Sequence, residues 1–189
     1  MRAGSALLAA GLALALGLAL GCSRQRSQEG QPGSETVTAA QESPDAPEAI
    51  LVFPDRQGRL VPVRRALVLS DDPETRIRQL LLALLAGPGD EALAAPFGEE
   101  VTLGTVDLDA RGVVYVDLVS EALPDPPAGG SQVEMQRVFS VVDTVLLDDG
   151  PARVVVLLWN GRQRSTFGGH VDTGQPLGID RSLLRSAPE

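Results

Sequence analysis

The sequence predicts an α+β domain, a two-layer sandwich in which two helices pack on one face of a mixed or mostly antiparallel sheet. Two amphipathic helical segments are separated by pairs of short β-rich segments, in the order strand, strand, helix, loop, strand, strand, helix, strand, strand. Short turns join the strands of each pair, which is typical of hairpins. An amphipathic helix buries its apolar stripe, and one face of a sheet is the simplest surface that can cover two such stripes.

The first strand pair is predicted at residues 49–54 and 60–69. The first segment is an apolar, β-rich run that ends in a turn containing Gly58. The second segment contains Pro62 and the adjacent Arg64 and Arg65. Because proline cannot donate a hydrogen bond to a neighbouring strand, we expect the second segment to be an edge or partly exposed strand.

The first helix is predicted to begin after Asp72, which can cap it, with Pro73 in the first helical position. The apolar residues that follow fall on one stripe of a helix. They are Ile77, Leu80, Leu81, Leu84 and Leu85. Gly87 and Pro88 are expected to end the helix. The stripe therefore predicts core packing.

The long loop at residues 87–103 has little periodicity, and loops of this length in a compact domain are often functional or locally structured. Residues 105–109 and 113–119 then alternate in hydrophobicity and predict a second hairpin. Val114, Val116 and Leu118 would share its buried face.

The second helix is predicted to begin with a capping box formed by Ser131 and Glu134. Its apolar face is wide and contains Val138, Val141, Val142 and Val145. Residues 154–159 are apolar on both alternating faces, so we expect a central strand covered on both sides. The turn Asn160-Gly161 leads to a short partner strand at residues 163–167.

The first 21 residues resemble a lipoprotein signal peptide that ends before Cys22, the only cysteine. Their apolar stretch is about 15 residues long, shorter than the roughly 18 to 20 that span a bilayer. The residues before Cys22 resemble a lipobox with its two middle positions, Ala19 and Leu20, in reversed order. We expect export and acyl chains such as palmitate on Cys22, anchoring the protein to the extracytoplasmic side of the cell membrane or outer membrane. An ordinary cleaved signal and a short uncleaved anchor are the alternatives.

Residues 22–48 are rich in polar residues, glycine and proline, and they predict a disordered linker behind the lipid. Residues 49–178 form one predicted domain, and residues 179–189 form a C-terminal tail. A single cysteine permits no disulfide within the chain. The net charge of -9 argues against a nucleic-acid partner and against electrostatic binding to anionic lipid.

His170 is the only histidine, so any Ser-His-Asp mechanism would have to use it. The sequence has no Gly-x-Ser-x-Gly motif to supply the nucleophile. Gly168 and Gly169 are more simply explained as a place where the backbone turns closely. We therefore expect a structural or loop position for His170.

Metal and cofactor sites are not expected. With one histidine and a lipidated cysteine, only carboxylates remain as ligands, and Asp107, Asp109 and Asp117 should point from their strands into solvent. The sequence has neither a P-loop nor a dinucleotide-binding fingerprint, so no nucleotide cofactor is indicated.

Several short pieces of the sequence together resemble the GerMN domain, which is named for a sporulation and spore germination protein and occurs in bacterial envelope lipoproteins. The pieces are residues 84–88, 96–98, 116–120, 130–134, 144–146 and 168–170. The resemblance covers about residues 49–177. It implies a small domain similar to the ring-building modules of secretion machines, acting in the envelope without known catalytic residues. The founding member has two copies and this chain has one, so the resemblance does not imply a direct role in sporulation.

Two functional hypotheses follow. The first is a non-catalytic, lipid-tethered module that binds a protein or peptidoglycan partner, by edge-strand pairing or by self-association into a homo-oligomer. The family-motif residues would then be structural or lie at an interface; they are Gly87, Pro88, Asp117, Gly168, Gly169 and His170. The alternative is an envelope hydrolase that uses His170 and an unrecognised nucleophile.

Overall fold

The structure, a computed structural model, describes residues 38–185. The predicted signal peptide, Cys22 and most of the predicted linker lie outside the described residues. Among the residues described, no helix has the length and apolar character needed to cross a membrane.

The first sheet contains β1 (Gln41–Glu42), β2 (Glu48–Pro54) and β3 (Leu60–Val68), in the order β1-β3-β2. Strands β2 and β3 form the predicted antiparallel hairpin. Strand β1 pairs with the end of β3 and lies inside the segment that we assigned to the linker. The folded part therefore begins before Ala49, and the linker prediction extends too far. Because both residues of β1 are exposed, hydrophobicity gives no sign of this strand.

Helix α1 (Pro73–Leu85) begins where the sequence predicts. The side chain of Asp72 accepts a hydrogen bond of 2.8 Å from the backbone N–H of Thr75, which caps the helix. Ala86 is the C-cap of the helix, and Gly87 follows with a φ of 95°. Its apolar stripe is buried in the core, except that Leu85 is half-buried.

The second sheet contains β4 (Thr102–Leu108), β5 (Val113–Val119), β6 (Val154–Trp159) and β7 (Arg162–Gln163), in that order. Strands β4 and β5 form the second predicted hairpin, whereas β5 and β6 are parallel. Strand β4 begins earlier than expected because its register shifts between Leu103 and Val106, which interrupts the alternation. Strand β6 lies between two neighbours and is largely buried on both faces.

Helix α2 (Ser131–Leu146) connects β5 to β6, and a last hairpin contains β8 (Thr166–Phe167) and β9 (Val171–Asp172). The two helices contact each other and strands of both larger sheets. The α+β class and the mixed pairing are as predicted, although the strands are divided among three sheets. Strand β2 is the last strand of the first sheet, and on its outer side the N–H of Val52 donates to Oγ1 of Thr144 on α2, at 2.9 Å.

The segment after β9 joins the two larger sheets. Leu177 exchanges backbone hydrogen bonds of 2.7 and 2.9 Å with Val155 of β6. Farther along, the N–H of Leu60 in β3 donates to Leu183, and the N–H of Arg185 donates to Leu60. Residues 179–185 therefore belong to the domain, in contrast to the predicted tail. The pairing is made by backbone groups, so composition did not reveal it.

Candidate functional site

Three of the six pieces of the family motif, residues 96–98, 130–134 and 168–170, meet around the β8–β9 hairpin. The ring of Phe167 packs edge-on against Phe97, with centroids 6.0 Å apart, and against Trp159, with centroids 5.9 Å apart. Such pairs add to the free energy gained from burying the rings themselves. Next to these rings, Glu134 of α2 contacts His170 in the turn between β8 and β9. We call these five residues the motif cluster.

Glu134 is the polar centre of the motif cluster, and its side chain is 0% exposed. Oε2 accepts a hydrogen bond of 2.9 Å from the backbone N–H of His170, and Oε1 lies 3.0 Å from Nδ1 of its imidazole. Oε1 also accepts from the N–H of Gly129, at 3.3 Å. Both carboxylate oxygens therefore hold loop segments in place.

The predicted capping box of Ser131 and Glu134 is wrong. Gly130 occupies the N-cap position with a φ of 78°, and no side chain caps the helix. Glu134 takes a different role because its side chain is directed to Gly129 and to the β8–β9 turn. A glutamate near the start of a helix fits both roles in sequence, so spacing alone did not distinguish them.

The pKa of Glu134 reflects two opposing effects. Burial alone would raise it, but the hydrogen bonds from His170 and Gly129 outweigh burial and lower the pKa below its ordinary value. The carboxylate is therefore ionised at neutral pH, where it is a strong acceptor for its backbone donors.

Gly168 and Gly169 form the turn next to Glu134, with φ values of 62° and 113°. A Cβ on Gly168 would lie 2.5 Å from Cδ of Glu134, so the buried carboxylate leaves no room for a side chain. A Cβ on Gly169 would meet no atom within 4 Å, so only the backbone conformation requires glycine there.

The imidazole of His170 is 52% exposed and is bonded through Nδ1 to Glu134. A carboxylate at this position resembles the group that orients the histidine of a catalytic triad. Within residues 38–185, however, no serine, threonine or tyrosine hydroxyl makes a hydrogen bond with His170. A groove of about 420 Å³ lies along the same turn, lined by Arg164, Gly168 and Gly169 among others.

Asp117 of β5 was expected to point into solvent, and this prediction is wrong. The residue is 7% exposed, and its Oδ1 accepts a hydrogen bond of 2.9 Å from the N–H of Gly161. Asn160 in the same turn has a φ of 50°, and its Oδ1 accepts from the N–H of Ser120. Asp117 is buried because the β6–β7 turn folds over it.

The other two strand aspartates differ from each other. Asp107 is exposed, as expected, whereas Asp109 is half-buried. Oδ1 of Asp109 accepts from the N–H groups of Val113 and Arg111, which stabilises the β4–β5 turn. The hydrogen bond from Val113 is the main cause of a lowered pKa of Asp109. Within residues 38–185, no group of three or more potential metal ligands is present.

Gly87 and Pro88 belong to a different set of contacts, beside β3. The carbonyl of Gly87 accepts a hydrogen bond of 2.7 Å from Nη2 of Arg65, whose guanidinium lies 5.4 Å from the ring centroid of Phe53. Pro88 lines a groove of about 600 Å³. We call this the β3 groove; its lining includes Glu42, Pro44, Val63, Arg64, Arg65, Pro88 and Gly89.

The outer edge of β3 borders this groove. In this strand the backbone N–H and C=O groups of odd-numbered residues point toward β2. The bonds from the N–H of Asp55 to the carbonyl of Arg59 and from the N–H of Leu67 to the carbonyl of Pro47, at the two ends of the hairpin, show this alternation. The backbone groups of even-numbered residues therefore point away from β2. Leu60 is paired with Leu183 and Arg185, and the carbonyl of Ala66 accepts from the N–H of Ser43. Between them, the carbonyl of Pro62 and both backbone groups of Arg64 have no partner among the described residues.

Strand β4 is an edge strand of the second sheet, and side chains of helix α1 form hydrogen bonds with its outer side. The N–H of Leu108 donates to Oε2 of Glu74, at 3.2 Å. Nη2 of Arg78 donates to the carbonyl of Gly104, at 2.8 Å. Two side chains of α1 thus occupy outward-facing backbone groups of β4.

Asp143 is a notable residue that the sequence reasoning missed. It is fully buried on α2; Oδ1 accepts from the N–H of Asp180 at 3.2 Å, and Oδ2 has no hydrogen-bond partner in the part of the chain described. Burial raises the pKa of Asp143 to about 7. The sequence did carry a sign of this buried carboxyl, because Asp143 lies within the apolar face of α2 that contains Val142 and Val145.

Comparison with known proteins identifies the family. The model of the Germane family, described as "Sporulation and spore germination", matches residues 50–165. A search of curated proteins gave no match. The chain is similar to the first GerMN domain of the sporulation protein GerM from Bacillus subtilis, with 19% identity, a TM-score of 0.55, and coverage of 72% of this chain and 99% of that one.

Two further structures have the same fold. A putative lipoprotein from Clostridium perfringens is 20% identical with a TM-score of 0.51, over 75% of this chain and 93% of that one. The tandem GerMN domains of Bacillus subtilis GerM are 20% identical with a TM-score of 0.53, over 71% of this chain and 45% of that one. The match of the family model over most of the folded domain shows that this chain belongs to the Germane family of GerMN-domain proteins.

Proposed function

We propose that this protein is a non-catalytic cell-envelope module, tethered by a lipid on Cys22, that acts by binding another envelope component. One observation carries the proposal: the polar groups of the motif cluster hold the protein's own loops. Glu134 bonds to Gly129 and His170, and outside the cluster Asp117 bonds to Gly161 in the same manner. A site built for chemistry would direct such groups at a substrate instead.

The hydrolase hypothesis depends on His170. Its pairing with Glu134 supplies the orienting half of a triad, but no described hydroxyl is hydrogen-bonded to the imidazole. Deletion of the gene gives a reference phenotype in which the protein's cellular function is lost. We expect full-length His170→Ala to retain that function. Loss of that function in a folded, normally abundant variant would instead support the enzyme.

The lipid tether is supported by the signal-like segment before Cys22 and by the similarity to a structure described as a putative lipoprotein. The chain's charge of -9 gives it no electrostatic attraction to anionic lipid, so attachment would depend on the acyl chains. We expect Cys22→Ser to abolish incorporation of radiolabelled fatty acid and to release the protein from membranes. A variant that is still labelled and membrane-bound would contradict the tether.

The binding role is tested by photo-crosslinking in native envelopes. The chain has no lysine, so amine-directed reagents have no side chain to attack and a photoreactive amino acid is needed. We expect a reproducible crosslinked partner. If probes at several exposed positions capture no partner and no second copy, the binding role is wrong. The family description refers to sporulation, and our proposal assigns the chain to no particular process.

A further inference from the structure

Resting on the proposed binding role, we propose that the open part of the β3 edge is the binding site and that its partner is an acidic, extended protein segment. The site is the stretch between Leu60 and Ala66. There the carbonyl of Pro62 and the N–H and carbonyl of Arg64 point away from β2 without a partner among the described residues. These groups can form hydrogen bonds with an added strand.

The site is short because the chain itself occupies both ends. Residues 183–185 pair with Leu60 at one end, and β1 with Ser43 pairs at the other. Pro62 supplies an acceptor but no donor, which limits the pairing further. Such an edge accepts about three to five residues of a partner and resists the indiscriminate pairing that long, flat edges promote.

The β3 groove provides a place for side chains of the added segment. Val63 is half-buried within it, and Pro88 and Gly89 form a wall on the side of α1. Arg65 fixes that wall by its bond to the carbonyl of Gly87. The motif piece at residues 84–88 takes no part in the motif cluster, but its Pro88 lines this groove.

Charge identifies the partner's chemistry. Of the two arginines that line the β3 groove, Arg65 is bonded to the carbonyl of Gly87 and lies 3.6 Å from Oε1 of Glu42, so Arg64 is the cation that a partner can reach. Arg64 is 69% exposed at the open edge, and its ion pair with Glu48, which is 59% exposed, is 3.2 Å long. Exposed pairs of this kind are weak, so an acidic residue of a partner can replace Glu48.

A protein segment fits these observations better than a cell-wall glycan. An extended polypeptide presents N–H and C=O groups at the strand repeat that Pro62 and Arg64 require. A glycan lacks this alternating series, so it could meet the guanidinium of Arg64 but would leave the strand's backbone groups without regular partners.

The test uses full-length protein in native envelopes with a photoreactive amino acid at Pro44, an exposed residue lining the β3 groove. Arg64→Pro removes both the outward N–H and the positive charge, whereas Arg64→Glu reverses the charge but keeps the N–H. Arg162→Glu is the charge control, because Arg162 is exposed on β7. A second probe at Thr105 on β4 reports on the covered edge. Circular dichroism verifies that each variant is folded.

We expect the Pro44 probe to capture a protein through a segment rich in aspartate or glutamate, which mass spectrometry of the crosslinked peptide identifies. Arg64→Pro should lower this capture by at least about three- to tenfold, because it removes one backbone hydrogen bond and also the guanidinium that meets the acidic residue. Arg64→Glu should lower it at least as much, and Arg162→Glu should leave it unchanged. If Arg64→Pro does not fold, the Arg64→Glu result decides.

Three results would overturn the assignment of this edge while leaving the binding role intact. They are capture that neither Arg64 variant changes, capture of a second copy or of a segment without acidic residues, and capture only by the Thr105 probe. If neither probe, nor any other exposed position, captures a partner, the edge assignment and the proposed function are both wrong.

Discussion

The motif cluster and the β3 edge differ in how their polar groups are used. In the cluster, both oxygens of Glu134 bond to the protein's own backbone, and Gly168 leaves room for that carboxylate. At the β3 edge, the backbone groups of Arg64 have no partner among residues 38–185. Under the proposed function, the motif residues maintain the fold, and less distinctive residues of β3 provide the binding surface. If so, changes in the cluster lower stability and changes at the edge lower binding.

The largest expected effect on stability follows loss of the carboxylate at Glu134. In Glu134→Ala the N–H groups of His170 and Gly129 lose their acceptor, so we expect the free energy of unfolding to fall by about 2 to 4 kcal/mol. Urea denaturation measures this change. Glu121→Ala, at an exposed position, is the control and should change stability by less than about 0.5 kcal/mol. Equal effects of the two changes would mean that Glu134 does not hold the turn.

The paired glycines provide a second test of the cluster. Gly168→Ala places a methyl group against Glu134 and should cost about 1 to 3 kcal/mol, whereas Gly169→Ala strains only the backbone and should cost about 1 kcal/mol. In the Glu134→Ala background the cost of Gly168→Ala should approach that of Gly169→Ala, because the steric conflict is gone. A double-mutant cycle measures this coupling. Additive changes would contradict the contact.

Asp143 extends the comparison to a buried carboxyl with one unpartnered oxygen. Its pKa is raised to about 7 in the folded protein, so between about pH 4 and pH 7 the folded state binds more protons than the unfolded state. Stability should therefore fall as the pH rises through this range. We expect wild type to lose about 1 to 2 kcal/mol relative to Asp143→Asn between pH 6 and pH 8. Parallel stability curves for the two proteins would show that Asp143 does not titrate as described.

The smallest effect on stability is expected at the open edge. Arg64→Gln removes an exposed, weakly paired charge and no backbone hydrogen bond, so stability should change by less than about 0.5 kcal/mol. Thermal unfolding, compared with Arg162→Gln as a matched control, measures this. A much larger loss would show that Arg64 supports the fold and would remove the contrast between the two regions.

Elements with strong apolar patterns were predictable from sequence. The stripe of Ile77, Leu80 and Leu84 and the cap at Asp72 placed α1 where the structure has it. Features made by backbone pairing were not predictable: β1 has no buried residue, and the pairing of Leu60 with Leu183 joins positions far apart in sequence. Composition and periodicity carry no record of such bonds.

The candidate site was harder to predict than the fold. From sequence spacing we predicted that Glu134 caps α2 and that Asp117 points into solvent. Both predictions failed because the hydrogen-bond donors of these carboxylates lie in or next to the turns at Gly168 and Gly161, whose positions the sequence does not give. The pattern did identify Pro62 and Arg64 as belonging to an exposed strand. It could not show that chain segments cover this edge at both ends and leave the middle open.

The most direct test of the account compares two variants in one assay, photo-crosslinking of the full-length protein in native envelopes. We predict that His170→Ala captures the same partner in the same amount as wild type, whereas Arg64→Glu captures much less. The opposite result, in which folded His170→Ala loses the partner and Arg64→Glu retains it, would place function in the motif cluster and contradict the account.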